Sequence, residues 1–243
     1  MQRRLLIFIL LITAAGILAG CVSVPASPGE QTPEQTDDPF SSGRWRGKKI
    51  AVLGDSITEL GGFQPHLERL LGAEILSYGI SGTTISGSFD MAFANRVTKI
   101  DKSVDLIVVF GGTNDFGADL ALGDRDSTRI TFTTFYGALR LLCKRLKEKY
   151  PDAQYVFLTP TQRTVPSLSG SGDVNAQGAT LEDYAEAIKF VCAEADIPVL
   201  DLYHQSAITQ KTAAQYLYDG LHPNAAGFEV LGEEIATFLA KMD

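Results

Sequence analysis

Cysteine, histidine and basic residues are all scarce in this chain, and each shortage removes a class of protein. Three cysteines in 243 residues cannot frame a small disulfide-stapled domain. Cys143 and Cys192 fall on apolar helical faces and read as buried free thiols. His66, His204 and His222 stand apart from one another and show no zinc-site spacing with the cysteines. The expected chemistry therefore uses no metal and no cofactor. Lys and Arg number 21 against 29 Asp and Glu, a formal charge of −8. A surface of that sign repels phosphate backbones, which argues against nucleic acid as a partner. A Gly-x-Ser-x-Gly nucleophile turn is also lacking. Nothing calls for an obligate protein partner. Hydrophobic residues, at 45%, are ample for one large domain or two small ones.

The longest apolar run is itself too short to span a bilayer. Leu5 to Leu18 is 14 residues with only Thr13 polar, against the roughly 20 a membrane helix needs. Arg3 and Arg4 precede it and Ala19-Gly20-Cys21 follows, the pattern of an export signal ending in small residues. Leu18-Ala19-Gly20-Cys21 resembles a bacterial lipobox. That resemblance implies cleavage before Cys21 and lipid on its thiol. The chain would then be anchored on the outer face of the cytoplasmic membrane, or on the outer membrane in a cell with two. Removing Arg3 and Arg4 leaves 19 basic against 29 acidic residues, a charge of −10. Residues 22–46 hold four of the ten prolines (Pro25, Pro28, Pro33 and Pro39) among Ser, Thr, Gln, Glu and Asp. Such a composition buries too little apolar surface to offset its ordering entropy and reads as a linker.

From Gly47 the pattern changes. Lys49–Leu53, Glu74–Tyr78, Asp105–Phe110, Gln154–Thr159 and Ile197–Leu202 are short apolar runs of the kind found in buried parallel strands. Helical periods separate them. Phe135, Leu139, Leu142, Leu146 and Tyr150 share one face before Pro151, and Thr180 with Asp183 forms a capping box ahead of Leu181, Tyr184, Ile188 and Val191. The last helix carries Phe228, Leu231, Ile235 and Phe238. The alternation predicts a three-layer α/β/α sandwich around a five-stranded parallel sheet over residues 47–243. Ligands bind such sheets at the carboxyl ends of the strands.

Four polar blocks sit at those ends. Gly54-Asp55-Ser56-Ile57-Thr58 follows the first strand, Gly79-Ile80-Ser81-Gly82-Thr83 the second, and Gly111-Gly112-Thr113-Asn114-Asp115 the third. Asp219-Gly220-Leu221-His222-Pro223 precedes the last helix. A serine on a tight strand-to-helix turn presents its hydroxyl where the helix dipole favours negative charge. It needs a base and a group to orient that base. His222 is the histidine with a carboxylate, Asp219, three residues earlier in a Gly-containing turn ahead of a helix. The Asn114 amide and the Gly82 and Ser56 N–H groups are candidate donors to an oxyanion.

The ordered set resembles the GDSL-type, or SGNH, hydrolase family, from about Lys48 to Asp243. The resemblance implies a flavodoxin-like sandwich with Ser56 as nucleophile, His222 as base, Asp219 as its orienter, and Ser56, Gly82 and Asn114 around the oxyanion. Ile57 stands where the family's name-giving Leu would be, and Ser77-Tyr78 where an Asn often precedes the second block. The expected activity is hydrolysis of short acyl esters, acetyl above all, on carbohydrate outside the cell. A lipase or lysophospholipase on the same fold, or a glycan-binding lipoprotein without catalysis, are the alternatives. Loops 116–131 and 161–179 are polar, and Arg163, four residues beyond the fourth strand run, is the candidate substrate contact.

Overall fold

The structure, a computed structural model, describes Phe40 and residues 43–87 and 90–242. The export leader, Cys21 and residues 22–39 of the expected linker lie outside the described residues. Strands β1 (Lys49–Gly54), β2 (Glu74–Gly79), β3 (Leu106–Phe110), β4 (Gln154–Leu158) and β5 (Val199–Leu200) form one sheet in the order β2-β1-β3-β4-β5. Every pairing is parallel, with Ile50 beside Leu106 and Ile75, and Val108 beside Val156. Because side chains alternate along a strand, each central strand feeds two cores. Ile50, Val52, Leu106, Val108, Val156 and Leu158 face one layer; Ala51, Leu53, Ile107, Val109 and Phe157 face the other.

The helices in chain order are α1 (Ser56–Glu59), α2 (Gln64–Leu71), α3 (Phe93–Arg96), α4 (Thr113–Gly117), α5 (Phe135–Lys149), α6 (Leu181–Glu194), α7 (Leu202–Gln205), α8 (Ala213–Tyr216) and α9 (Ala225–Ala240). Helices α2 and α9 cover the first face through Leu67, Leu71, Leu231, Ile235 and Leu239; α3, α5 and α6 cover the second. The expected Thr180–Asp183 capping box is formed in both directions. Cys143 and Cys192 are free and buried on α5 and α6. The Cys143 thiol facing Cys192, together with burial, pushes the Cys192 thiol pKa up. Among the described residues no helix is long and apolar enough to cross a membrane.

Two boundaries differ from the sequence reading. The packed domain begins before Gly47, because Trp45 is buried and its indole N–H donates to the Leu239 carbonyl at 2.8 Å. Phe40 packs against the same core, so two aromatic side chains in an otherwise polar stretch draw the chain onto the domain. The fifth strand shrinks to two residues, since Pro198 has no N–H to donate and Asp201 already caps α7 by accepting from His204 N.

Candidate active site

Neighbouring strands whose connections leave to opposite sides open a crevice at their carboxyl ends. Here β1 is joined to β2 on one side and lies against β3 on the other, so the crevice falls between Ser56 and Asn114. Helix α1 starts directly at Ser56. Its N-cap, Asp55, accepts from Ile57 N at 3.1 Å. The turn is packed so closely against the next strand end that a side chain at Gly79 would overlap the Thr58 and Glu59 backbone.

The structure brings the three spaced residues Ser56, His222 and Asp219 into one chain of hydrogen bonds. Ser56 Oγ lies 2.9 Å from His222 Nε2, and His222 Nδ1 lies 2.7 Å from Asp219 Oδ2. The other Asp219 oxygen accepts the backbone N–H groups of Leu221 at 2.9 Å and His222 at 2.7 Å. Partial burial works against the Asp219 charge, but these donors outweigh it and hold its carboxyl below the ordinary range. Gly220 gives the loop its left-handed kink at φ 84°, and its carbonyl accepts from Thr164 N at 2.8 Å.

The three candidate oxyanion donors belong to separate segments: α1, the loop after β2, and α4. Asn114 on α4 spends one amide hydrogen on the Thr83 carbonyl at 2.9 Å, which sets its side chain beside the Gly82 loop. Gly82 sits at φ 74°, a conformation costly for any residue with a Cβ, and open space surrounds the place a Cβ would occupy. The Ser56 and Gly82 amides have no hydrogen-bond partner among the described residues. The Asn114 amide and the Ser56 and Gly82 N–H groups are thus the candidate donors to an oxyanion formed at Ser56.

Supporting groups that sequence reasoning missed hold this loop. Asp115 is fully buried and accepts from Ile85 N at 2.9 Å, Ser86 N at 2.8 Å and Ser86 Oγ at 2.7 Å; burial nevertheless pushes its carboxyl up to about 6. Arg96 on α3 donates to the Gly54 carbonyl at 3.0 Å, to Thr83 Oγ1 at 2.8 Å and to the Tyr78 carbonyl. At Ser77-Tyr78, where the family often has an Asn, Ser77 Oγ donates to Thr58 O at 3.3 Å, and Gln64 donates to the same carbonyl at 2.7 Å. Position within the third block was the one signal for Asp115. Arg96 had none, lying in a segment without motif.

Arg163 lies at the ligand edge as expected, but its side chain is taken up by the protein. All three guanidinium nitrogens donate to protein oxygens: Nε to Val165 O at 2.7 Å, Nη1 to Thr113 O and Oγ1 at 3.0 and 3.1 Å, and Nη2 to Pro166 O at 3.0 Å. At 8% exposure, with its cation over the Phe116 ring, it ties the loop after β4 to α4. It also flanks a polar cavity of about 220 Å³ whose other walls include Gln162, Thr164, Asp173, Glu182, Tyr203 and Gln210. In the two polar loops, Asp119 accepts from Ser169 N and Ala176 N and so ties one loop to the other, and Asn175 donates to Tyr184 Oη on α6.

The chain holds a second Asp-x-x-His, Asp201 to His204, and its geometry shows why it is no base. His204 Nδ1 pairs with Asp201 at 2.9 Å, but Nε2 is met by Glu182 at 2.9 Å in place of a hydroxyl. Those two carboxylates raise the His204 pKa. Donor atoms of Glu186, Asp201 and His204 lie within 4.8 Å of one another, as a metal site would require. The Lys189 ammonium stands 2.7 Å from both carboxylates and supplies the cation there.

The chain is similar to known proteins over most of its length. The GDSL-like Lipase/Acylhydrolase family profile matches residues 52–230, spanning all four blocks. A GDSL esterase/lipase of Arabidopsis thaliana is 27% identical over 211 residues, covering 78% of this chain and 84% of that protein. A multidomain esterase of Ruminococcus flavefaciens is 30% identical over 145 residues; the match covers 58% of this chain and 17% of that longer protein. A crystal structure of a Lactobacillus plantarum protein superposes with a TM-score of 0.73 at 34% identity, covering 82% of this chain and 99% of that one. The chain belongs to the GDSL-like lipase/acylhydrolase family and is a hydrolase of ester bonds.

Proposed function

We propose that Ser56, His222 and Asp219 form the catalytic triad of an exported, lipid-anchored esterase that removes short acyl groups, chiefly acetyl, from carbohydrate. The observation that carries the catalytic part is the unbroken relay of 2.9 and 2.7 Å from the Ser56 hydroxyl through His222 to Asp219. His222 takes the Ser56 proton as Ser56 attacks the ester carbonyl, and Asp219 holds the imidazole in the productive tautomer. The Ser56, Gly82 and Asn114 donors receive the negative charge. His222 then protonates the departing alcohol, and water repeats the sequence to free the acid.

Support for a short acyl group comes from the wall next to the oxyanion donors. Thr83, Thr84, Ile85 and Ser86 are buried and pinned by Asp115 and Arg96, so this wall is rigid and mostly polar. A long chain gains about 0.8 kcal/mol per methylene only where an apolar groove buries it. Support for a hydroxyl-bearing alcohol comes from the polar cavity across Thr164 from the Asp219–His222 turn. Support for export and anchoring is the Leu18–Cys21 sequence after its charged and apolar leader.

The test is a set of specificity constants for acetate, butyrate, octanoate and palmitate esters of one alcohol, with Ser56→Ala as control. Efficiency should fall beyond butyrate and vanish in the variant. Efficiency rising toward octanoate would overturn the substrate reading in favour of a lipase, and retained turnover in Ser56→Ala would overturn the triad.

A further inference from the structure

Tyr218, the residue just before Asp219, is left standing in solvent by the backbone around it. Leu217 pairs antiparallel with Pro223 and is buried, and Tyr218 N donates to the His222 carbonyl at 3.0 Å. Alternation along this short ladder turns Leu217 inward and Tyr218 outward. The tyrosine is 62% exposed, and its ring lies nearly parallel to the His222 imidazole, 16° between planes and 5.7 Å between centroids. Its hydroxyl has no hydrogen-bond partner among the described residues. A large aromatic group is thus held in water beside the general base, with one face and its polar tip unused.

The direction of the reaction says what that group meets. The acyl carbon is bonded to Ser56, and its oxygen points at the Ser56, Gly82 and Asn114 donors. The alcohol oxygen must take its proton from His222 Nε2 and so approaches within hydrogen-bond reach, about 3 Å, of that atom. Whatever is attached to the alcohol oxygen then extends along the imidazole, and a skeleton more than two or three bonds long reaches the parallel Tyr218 ring. A two-carbon alcohol does not. We propose that Tyr218 is a specificity-determining contact for the alcohol side of the ester, its flat face packing on the C–H face of a pyranose and its hydroxyl meeting a ring hydroxyl. The identity of that alcohol as a sugar rests on the function proposed above; the contact itself follows from the position of Tyr218 beside His222.

The experiment compares Tyr218→Ala and Tyr218→Phe with the unmodified enzyme on ethyl acetate, glycerol monoacetate and a methyl O-acetylglucopyranoside. The quantity read is the ratio of kcat/KM for each larger ester to that for ethyl acetate. In Tyr218→Ala the sugar ratio should fall about five- to tenfold, carried mainly by KM, as loss of one aromatic contact implies. Tyr218→Phe should recover most of it. Support for His222 alone would lower kcat/KM on all three esters equally and leave the ratio fixed; that result overturns the proposal. If the unmodified enzyme fails on the acetylated sugar, the carbohydrate reading falls separately. The glycerol ratio then decides: a drop in Tyr218→Ala sustains the alcohol contact, and a constant ratio refutes it.

Discussion

Asp55 offers the sharpest physical test of the site, because its charge is buried with little to hold it. The side chain is 1% exposed and accepts one backbone hydrogen bond, from Ile57 N at 3.1 Å. Burial, aided by the nearby Asp115 charge, pushes its carboxyl from 3.8 up to about 7 against the pull of that bond, of His222 and of Arg96. Below pH 3.8 the carboxyl is protonated in both folded and unfolded chains and stability is indifferent to it. Between there and pH 7 the unfolded chain releases the proton while the folded one keeps it, so stability falls as pH rises; above pH 7 the loss is complete. Each pH unit in that interval costs about 1.4 kcal/mol, which sets a ceiling of about 4 kcal/mol. Asp55→Asn removes the charge and keeps an oxygen for the Ile57 cap, a position where Asn and Asp serve equally. The variant should therefore be more stable than the parent at pH 8 by about 2–4 kcal/mol, or roughly 5–10 °C in Tm for a domain of this size. The two should coincide near pH 4. Thermal unfolding by circular dichroism across pH 4–8 reads the difference. A gain of equal size at both ends of that range, or none at pH 8, would refute the reasoning.

Three further outcomes are expected. Asn114→Ala removes one of the proposed oxyanion donors and should lower turnover by about 10²- to 10³-fold with KM little changed, measured on an acetate ester. Asp115→Ala leaves two buried N–H groups and the Ser86 hydroxyl without their acceptor; even with relief of the buried charge, urea unfolding should show a loss of about 2–4 kcal/mol, and turnover should drop as the loop loosens. Cys21→Ser should release the protein from the membrane fraction, and intact mass of the parent should fit a chain that starts at a lipidated Cys21.

Most of the architecture was legible because the sheet is buried on both faces and its strands are therefore short continuous apolar runs. Edges were the exception. At β5 a proline and a helix cap took residues that the apolar pattern alone assigns to a strand, and before β1 the aromatic side chains of Phe40 and Trp45 overrode a polar neighbourhood. In the candidate site, motif and order pointed to Ser56, His222 and Asp219, which the structure joins by hydrogen bonds, since the residues that leave a strand end must emerge at the ligand edge of the sheet. Orientation was not readable. Arg163 is where its spacing put it, but only the structure shows its guanidinium turned onto the carbonyls of Thr113, Val165 and Pro166. Arg96 and Asp115 act through contacts between loops distant in sequence, which leave no periodic or local trace.

The bond between the Trp45 indole and the Leu239 carbonyl fixes where the domain can be held. Trp45 precedes β1, at the amino edge of the parallel strands, whereas Ser56 follows that strand's other end. Six residues of strand, about 20 Å, separate the two poles. Trp45 is therefore held at the edge of the sheet opposite the nucleophile. A change at Trp45 thus loosens the domain at the edge of the sheet farthest from Ser56, where it acts on folding and leaves the crevice itself untouched.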